Sequence, residues 1–86
     1  MYYTYILYSQ SIDKYYVGYT HDLDIRLSRH NSCWGKFSSK GIPWKLVYSE
    51  KFESKSYAIK RENEIKNKKS RKYIEKLIAG AGGRPD

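Results

Sequence analysis

Five side chains could do chemistry if the fold brings them together: Tyr5, Tyr16, Arg26, His30 and Glu62. Arg26 and His30 are four residues apart, and on a helical wheel of ~100° per residue both fall within about 60° of Leu23, at the edge of an inward stripe. Ionisable groups rarely lean toward a core unless they are paired or used. Glu62 is placed similarly, about 40° from Ala58 and 60° from Ile65, in the apolar stripe of a basic helix. It is either one half of a charge pair, with Arg61 or with Lys66 at i,i+4, or a functional carboxylate. Arg26 has the same bland alternative, a pair with Asp22, and His30 could simply complement a helix C-terminus. Tyr5 and Tyr16 stand on the two arms of a hairpin, where tyrosine is also an ordinary strand residue.

The elements that must position these groups follow from pattern. Residues 2–8 and 15–17 are rich in aromatic and β-branched types, joined by the turn-like segment 9–14, and read as a hairpin. Neither run alternates cleanly, so both faces of the hairpin are expected to be covered in part. Gly18 is expected to close it, at a point where the backbone bends or something approaches closely. Residues 20–32 read as a helix capped by Thr20, with Asp22 and Asp24 in the first turn, Leu23 and Leu27 facing inward, and Asn31, Ser32 and Gly35 offering a stop. Residues 32–43 read as a loop in which Trp34 and Phe37 are expected to pack down. Trp44–Phe52 reads as a third strand, with Leu46, Tyr48, Glu50 and Phe52 on one mostly apolar face. Ser54 caps a helix over residues 55–69, and Ser70 caps a last helix whose stripe is Tyr73, Ile74, Leu77 and Ile78. The fold class expected is α+β, a small three-stranded, mainly antiparallel sheet in β-β-α-β-α-α order flanked by helices. One domain over residues 1–79 and a flexible C-terminal tail over 80–86 complete the reading.

Bulk composition narrows the function. With 86 residues there is room for one small core. Cys33 is the single cysteine, which excludes a disulfide framework and argues against a cysteine-based zinc site. No apolar run approaches ~18 residues and no leader pattern precedes the first strand, so a cytoplasmic protein with no membrane partner is expected. Lys and Arg number 17 against 9 acids, a net +8, and residues 51–76 carry ten basic residues against four acids, +6 of that total. Such a field draws polyanions and gives salt-sensitive affinity for phosphate backbones.

The ordered set of motifs resembles the GIY-YIG nuclease superfamily, most closely its small stand-alone bacterial members. The matching pieces are Thr4-Tyr5-Ile6, then Tyr16-Val17-Gly18-Tyr19-Thr20, then residues 22–31, then Pro43-Trp44-Lys45-Leu46-Val47-Tyr48, and finally residues 58–66 around Glu62. The Gly and Ile of the family's first half-motif are Tyr3 and Thr4 here. The resemblance implies a metal-dependent endonuclease hydrolysing phosphodiester bonds, with DNA favoured over RNA as the substrate and the choice left open by the sequence. It implies Glu62 as the single protein ligand of one Mg²⁺ or Mn²⁺ and Arg26 as the holder of phosphate oxygens. It makes Tyr5 the acceptor of the attacking water's proton, with Tyr16 and His30 orienting, or His30 itself as the base. A free phenol has pKa ≈ 10, so the Tyr5 role needs cations nearby. Gly18 is structural in this reading, and Lys60, Arg61, Lys66, Lys68 and Lys69 are the expected nucleic-acid contacts. The alternative is a non-catalytic DNA- or RNA-binding module on the same scaffold.

Overall fold

A computed structural model of the chain describes residues 1–32 and 40–83. The expectations for Cys33, Trp34, Gly35 and Phe37, and for the tail beyond Gly83, lie outside the described residues. The elements are β1 (Tyr2–Ser9), β2 (Lys14–Thr20), α1 (Leu23–His30), β3 (Trp44–Phe52), α2 (Lys55–Lys68) and α3 (Arg71–Gly83). Helix α3 thus runs on into the segment read from sequence as a tail.

The sheet has the order β2-β1-β3, with both pairings antiparallel. Strand β1 is central, and its residues Thr4, Tyr5, Ile6 and Leu7 are all buried. The lack of alternation in the sequence has this cause, because helices cover both faces. On one face Tyr5, Leu7 and Trp44 pack with Leu23 and Leu27 of α1. On the other, Ile6 and Val17 pack with Ile65 of α2 and with Tyr73, Ile74, Leu77 and Ile78 of α3, the stripe expected for the last helix. Thr4 donates from its hydroxyl to the Ala58 carbonyl at 2.7 Å, fastening α2 to the central strand.

Three local readings are corrected. Thr20 is the last residue of β2, paired with Tyr3, and so cannot cap α1. Asp22 does so, its carboxylate accepting from the Ile25 N–H at 3.0 Å. Gly18 lies inside β2, opposite Tyr5, rather than at its end. In β3 a register shift between Ile6 and Leu7 pairs them with Tyr48 and Leu46, leaving Val47 as the extra residue of a bulge. The bulge splits the expected apolar face: Val47 and Tyr48 pack toward α2 and α3, while Leu46 is left exposed.

Ser54 and Ser70 act as expected, accepting from the N–H groups of Tyr57 and Tyr73. Arg61 binds Glu50 at 2.9 Å and donates to the Tyr73 hydroxyl at 3.1 Å, and Tyr48 donates to the same Glu50 carboxylate. Strand β3 and both C-terminal helices are thereby joined through one guanidinium. The Asn31 side chain, just past α1, accepts from the Trp44 N–H at 2.6 Å and donates to its carbonyl at 3.0 Å, like a one-residue strand neighbour. Asn31→Ala leaves both of those half-buried backbone groups unmet. It should destabilise the protein by about 1–3 kcal/mol in urea unfolding.

Candidate active site

Gly18 shapes the site by what it lacks. Its φ is not positive, so backbone strain is not the reason for glycine here. The reason is space: a Cβ there would lie 2.7 Å from the Tyr5 hydroxyl oxygen, 2.9 Å from Cζ of the same ring and 3.1 Å from Cε1 of Tyr16. The two phenols therefore rest over the bare backbone of β2. Their rings are stacked, 6.3 Å apart at 26°. Gly18→Ala forces Tyr5 aside within a close-packed core. It should cost about 1–3 kcal/mol, read as a lower urea midpoint, and should disturb the near-ultraviolet tyrosine signal.

Helix α1 supplies the next two groups. His30, at its last turn, is buried and sets its ring edge-on to Tyr16 at 4.6 Å and to Tyr5 at 6.4 Å. Trp44 closes the cluster, 6.0 Å from His30 and 6.3 Å from Tyr16. Asn31 and Trp44 are the two contributors that sequence reasoning did not single out. Both fall within the matching motifs, but Asn31 read otherwise as a helix stop and Trp44 as the start of a strand, with no role at the site.

Two polar atoms in this cluster, the Tyr5 hydroxyl and His30 Nδ1, are buried with no hydrogen-bond partner among the described residues. Each such atom costs on the order of 1–3 kcal/mol, and a native fold that keeps two side by side calls for an explanation. Burial, then the neighbouring Tyr16, pushes the Tyr5 phenol well above its ordinary value. The half-buried Arg26 guanidinium pulls the other way, through its charge and a hydrogen-bonding approach that falls short of good geometry, and Glu62 pushes up again. Burial, with Arg26 adding to it, holds His30 below its usual range. The imidazole is therefore neutral near pH 7, which is not the protonated dipole partner that the bland alternative required.

The sign of the resulting pH effect follows. Below about pH 6.5 the unfolded chain takes up a proton that buried His30 refuses. The contribution is fully present above that pH and is lost as pH falls toward the folded value. Urea unfolding of wild type at pH 7.5 and 5.5 should show lower stability at the acid value, with a smaller difference in His30→Gln.

Glu62 comes from α2, on the far side of the sheet from α1, yet its charge is felt at the Tyr5 hydroxyl. Its side chain is only 13% exposed. One carboxylate oxygen accepts from Lys66 Nζ at 2.7 Å, so the i,i+4 pair anticipated as the bland reading is formed, and with Lys66 rather than Arg61. Arg26 makes no ion pair with Asp22 among the described residues, and Asp22 is engaged as the helix cap.

Among the described residues no three His, Cys, Asp or Glu side chains gather into a metal cage. A lone carboxylate, with its second oxygen unbonded among those residues and an orphaned phenol in electrostatic reach, nonetheless fits a hard divalent cation. Mg²⁺ commonly takes one or two protein carboxylates and completes its shell with water and substrate oxygens. Of the basic residues expected to contact nucleic acid, Lys60, Lys68 and Lys69 are exposed, with Lys68 over the Tyr73 ring at 5.3 Å. Arg61 and Lys66 are engaged within the protein, and Arg61 serves as a structural tie. Among the described residues no helix is long and apolar enough to cross a membrane.

Comparison with known proteins places the chain in a family. The family model for the GIY-YIG catalytic domain matches residues 1–74. A UPF0213 protein of Natronomonas pharaonis is 39% identical over 82 residues, 94% of each chain. Another, from Staphylococcus saprophyticus, is 39% identical over 66 residues, 76% of this chain and 80% of its own. The solution NMR structure of a UPF0213 protein from Bacillus halodurans superposes with a TM-score of 0.60 at 35% identity, covering 96% of this chain and 88% of that one. With a family match spanning most of its length and relatives 39% identical over most of both chains, the chain belongs to the GIY-YIG nuclease domain family.

Proposed function

We propose that the protein is an endonuclease that hydrolyses phosphodiester bonds in DNA with the help of one divalent cation, Mg²⁺ or Mn²⁺. The observation that carries this reading is the buried Tyr5 hydroxyl left without a partner, beside Tyr16 and His30 and within reach of the charges of Arg26 and Glu62. A stabilising core would have met or removed that hydroxyl; a site awaiting water and a phosphate has reason to keep it.

Glu62 would hold the cation, which when bound supplies Lewis-acid polarisation of the scissile phosphate and its leaving oxygen. Arg26 binds phosphate oxygens as negative charge builds on them, its planar fork matching their geometry. Tyr5 orients the attacking water and accepts its proton. In the free protein burial outweighs Arg26, so the phenol stays protonated, and it becomes a base only as positive charge gathers beside it. His30, already neutral and with Nδ1 unmet, is the alternative acceptor. Tyr16, stacked on one and edge-on to the other, fixes both rings.

The Lys66 ammonium on Glu62 favours a second reading, a nucleic-acid-binding module whose carboxylate is merely paired. Cleavage of plasmid and branched DNA in Mg²⁺, Mn²⁺ or EDTA separates the two. Metal-dependent nicking is expected; tight, salt-sensitive binding without cutting of any substrate would establish the module instead.

A further inference from the structure

A cleft of about 460 Å³ lies between the edge strand β2 and the junction of α2 with α3, within the ~300–1,000 Å³ range of small-molecule sites. Its apolar side is Val17, Ile65 and Ile74, and Lys14, Lys66 and Lys69 stand around it. Two of its residues belong also to the active-site region: Tyr16 and Lys66, the residue that meets Glu62.

We propose that this cleft is a nucleotide subsite, taking the base and phosphate of a nucleotide flanking the bond to be cut. The proposal rests on the nuclease reading above and extends it to how the strand is held. Charge argues for an anionic occupant. The cleft's one acidic residue, Asp13, is already paired with Arg71 at 2.6 Å. Lys14 and Lys69 make no ion pair among the described residues. The apolar surface argues for more than a bare phosphate, since a planar base can lie against the half-buried Tyr15 and Ile74, above the buried Val17 and Ile65, while its phosphate meets the lysines. The wall is held in place beforehand. Arg71 binds Asp13 and Glu75, the latter at 3.1 Å, and lies 5.2 Å over the Tyr15 ring, fastening the hairpin turn to the start of α3. Lys69 occupies the left-handed C-cap of α2, with φ 48°, which fixes its backbone at the rim.

The test is a ¹H–¹⁵N titration of the full chain in EDTA with thymidine 5′-monophosphate, thymidine or inorganic phosphate. The monophosphate is expected to shift the amides of Val17, Ile65, Lys69 and Ser70 saturably. Nucleoside or phosphate alone should bind at least about tenfold more weakly, and Lys14→Glu or Lys69→Glu should weaken the monophosphate by a similar factor. Both variants are at exposed positions, and their spectra report folding directly. No saturable shift at those amides, equal binding of phosphate alone, or affinity unchanged in both folded variants would overturn the subsite. Metal and turnover are absent from this experiment. Its failure therefore leaves the Glu62 site standing, and failure of the cleavage assay does not alter a positive titration.

Discussion

Glu62→Gln is expected to fold normally, keep its affinity for DNA and lose metal-dependent cleavage by about 10³-fold. The fold tolerates the change because the carboxylate's one strong contact is a helix-surface pair with Lys66, worth roughly 0.3–0.5 kcal/mol, and an amide oxygen can still accept from that ammonium. Activity is expected not to tolerate it, because under the proposed function Glu62 holds the cation and a neutral amide holds a hard divalent cation far less well than a carboxylate does. Losing several kcal/mol of charge stabilisation corresponds to three decades or more in rate. Single-turnover cleavage at saturating DNA checks this, together with binding in EDTA. A variant within about threefold of wild type would remove Glu62 from the chemistry.

Tyr5→Phe separates stability from activity in opposite directions. The phenol is buried and its hydroxyl unmet, so its removal leaves no cavity larger than one oxygen and relieves a desolvated polar group. Unfolding free energy should stay level or rise by up to about 1 kcal/mol. Cleavage should fall by about 10²–10⁴-fold, the range associated with a positioned proton-transfer group. The wild-type pH profile assigns the base. A rate climbing through the alkaline range fits Tyr5, whose phenol is held above its ordinary value. A rate already level above about pH 7 fits His30, held below its usual range. An ordinary core tyrosine would give unchanged kinetics in the Phe variant.

Much of this arrangement is legible in the chain. The wheel that put Arg26 and His30 near Leu23, and Glu62 within about 60° of Ala58 and Ile65, depends only on helical period, and α1 and α2 keep that period. The lack of clean alternation along residues 2–8 announced a strand covered in part on both faces, and residues 4–7 are all buried. What the chain did not announce arises from pairing between distant segments. The bulge at Val47 exists only because β3 must match β1 on both sides of Ile6, and no local signal marks it. Thr20 has the right chemistry for a cap, but its pairing with Tyr3 takes precedence and moves the cap to Asp22. Gly18 read as the glycine that closes the hairpin, where the backbone bends or something approaches closely, and what approaches, two rings lying on it, needs the partner strand in place. Asn31 and Arg61 likewise look like a stop signal and one more cation until Trp44 and Glu50 are brought beside them.

The most direct test of the site is a crystal soaked in Mn²⁺ with a short DNA strand and recorded at the manganese absorption edge. One anomalous peak is expected, about 2.0–2.2 Å from a Glu62 carboxylate oxygen. It should be accompanied by a phosphate against Arg26 and by Lys66 moved off the carboxylate. Manganese bound only elsewhere, with Lys66 still on Glu62 and no phosphate near Tyr5, would contradict the account.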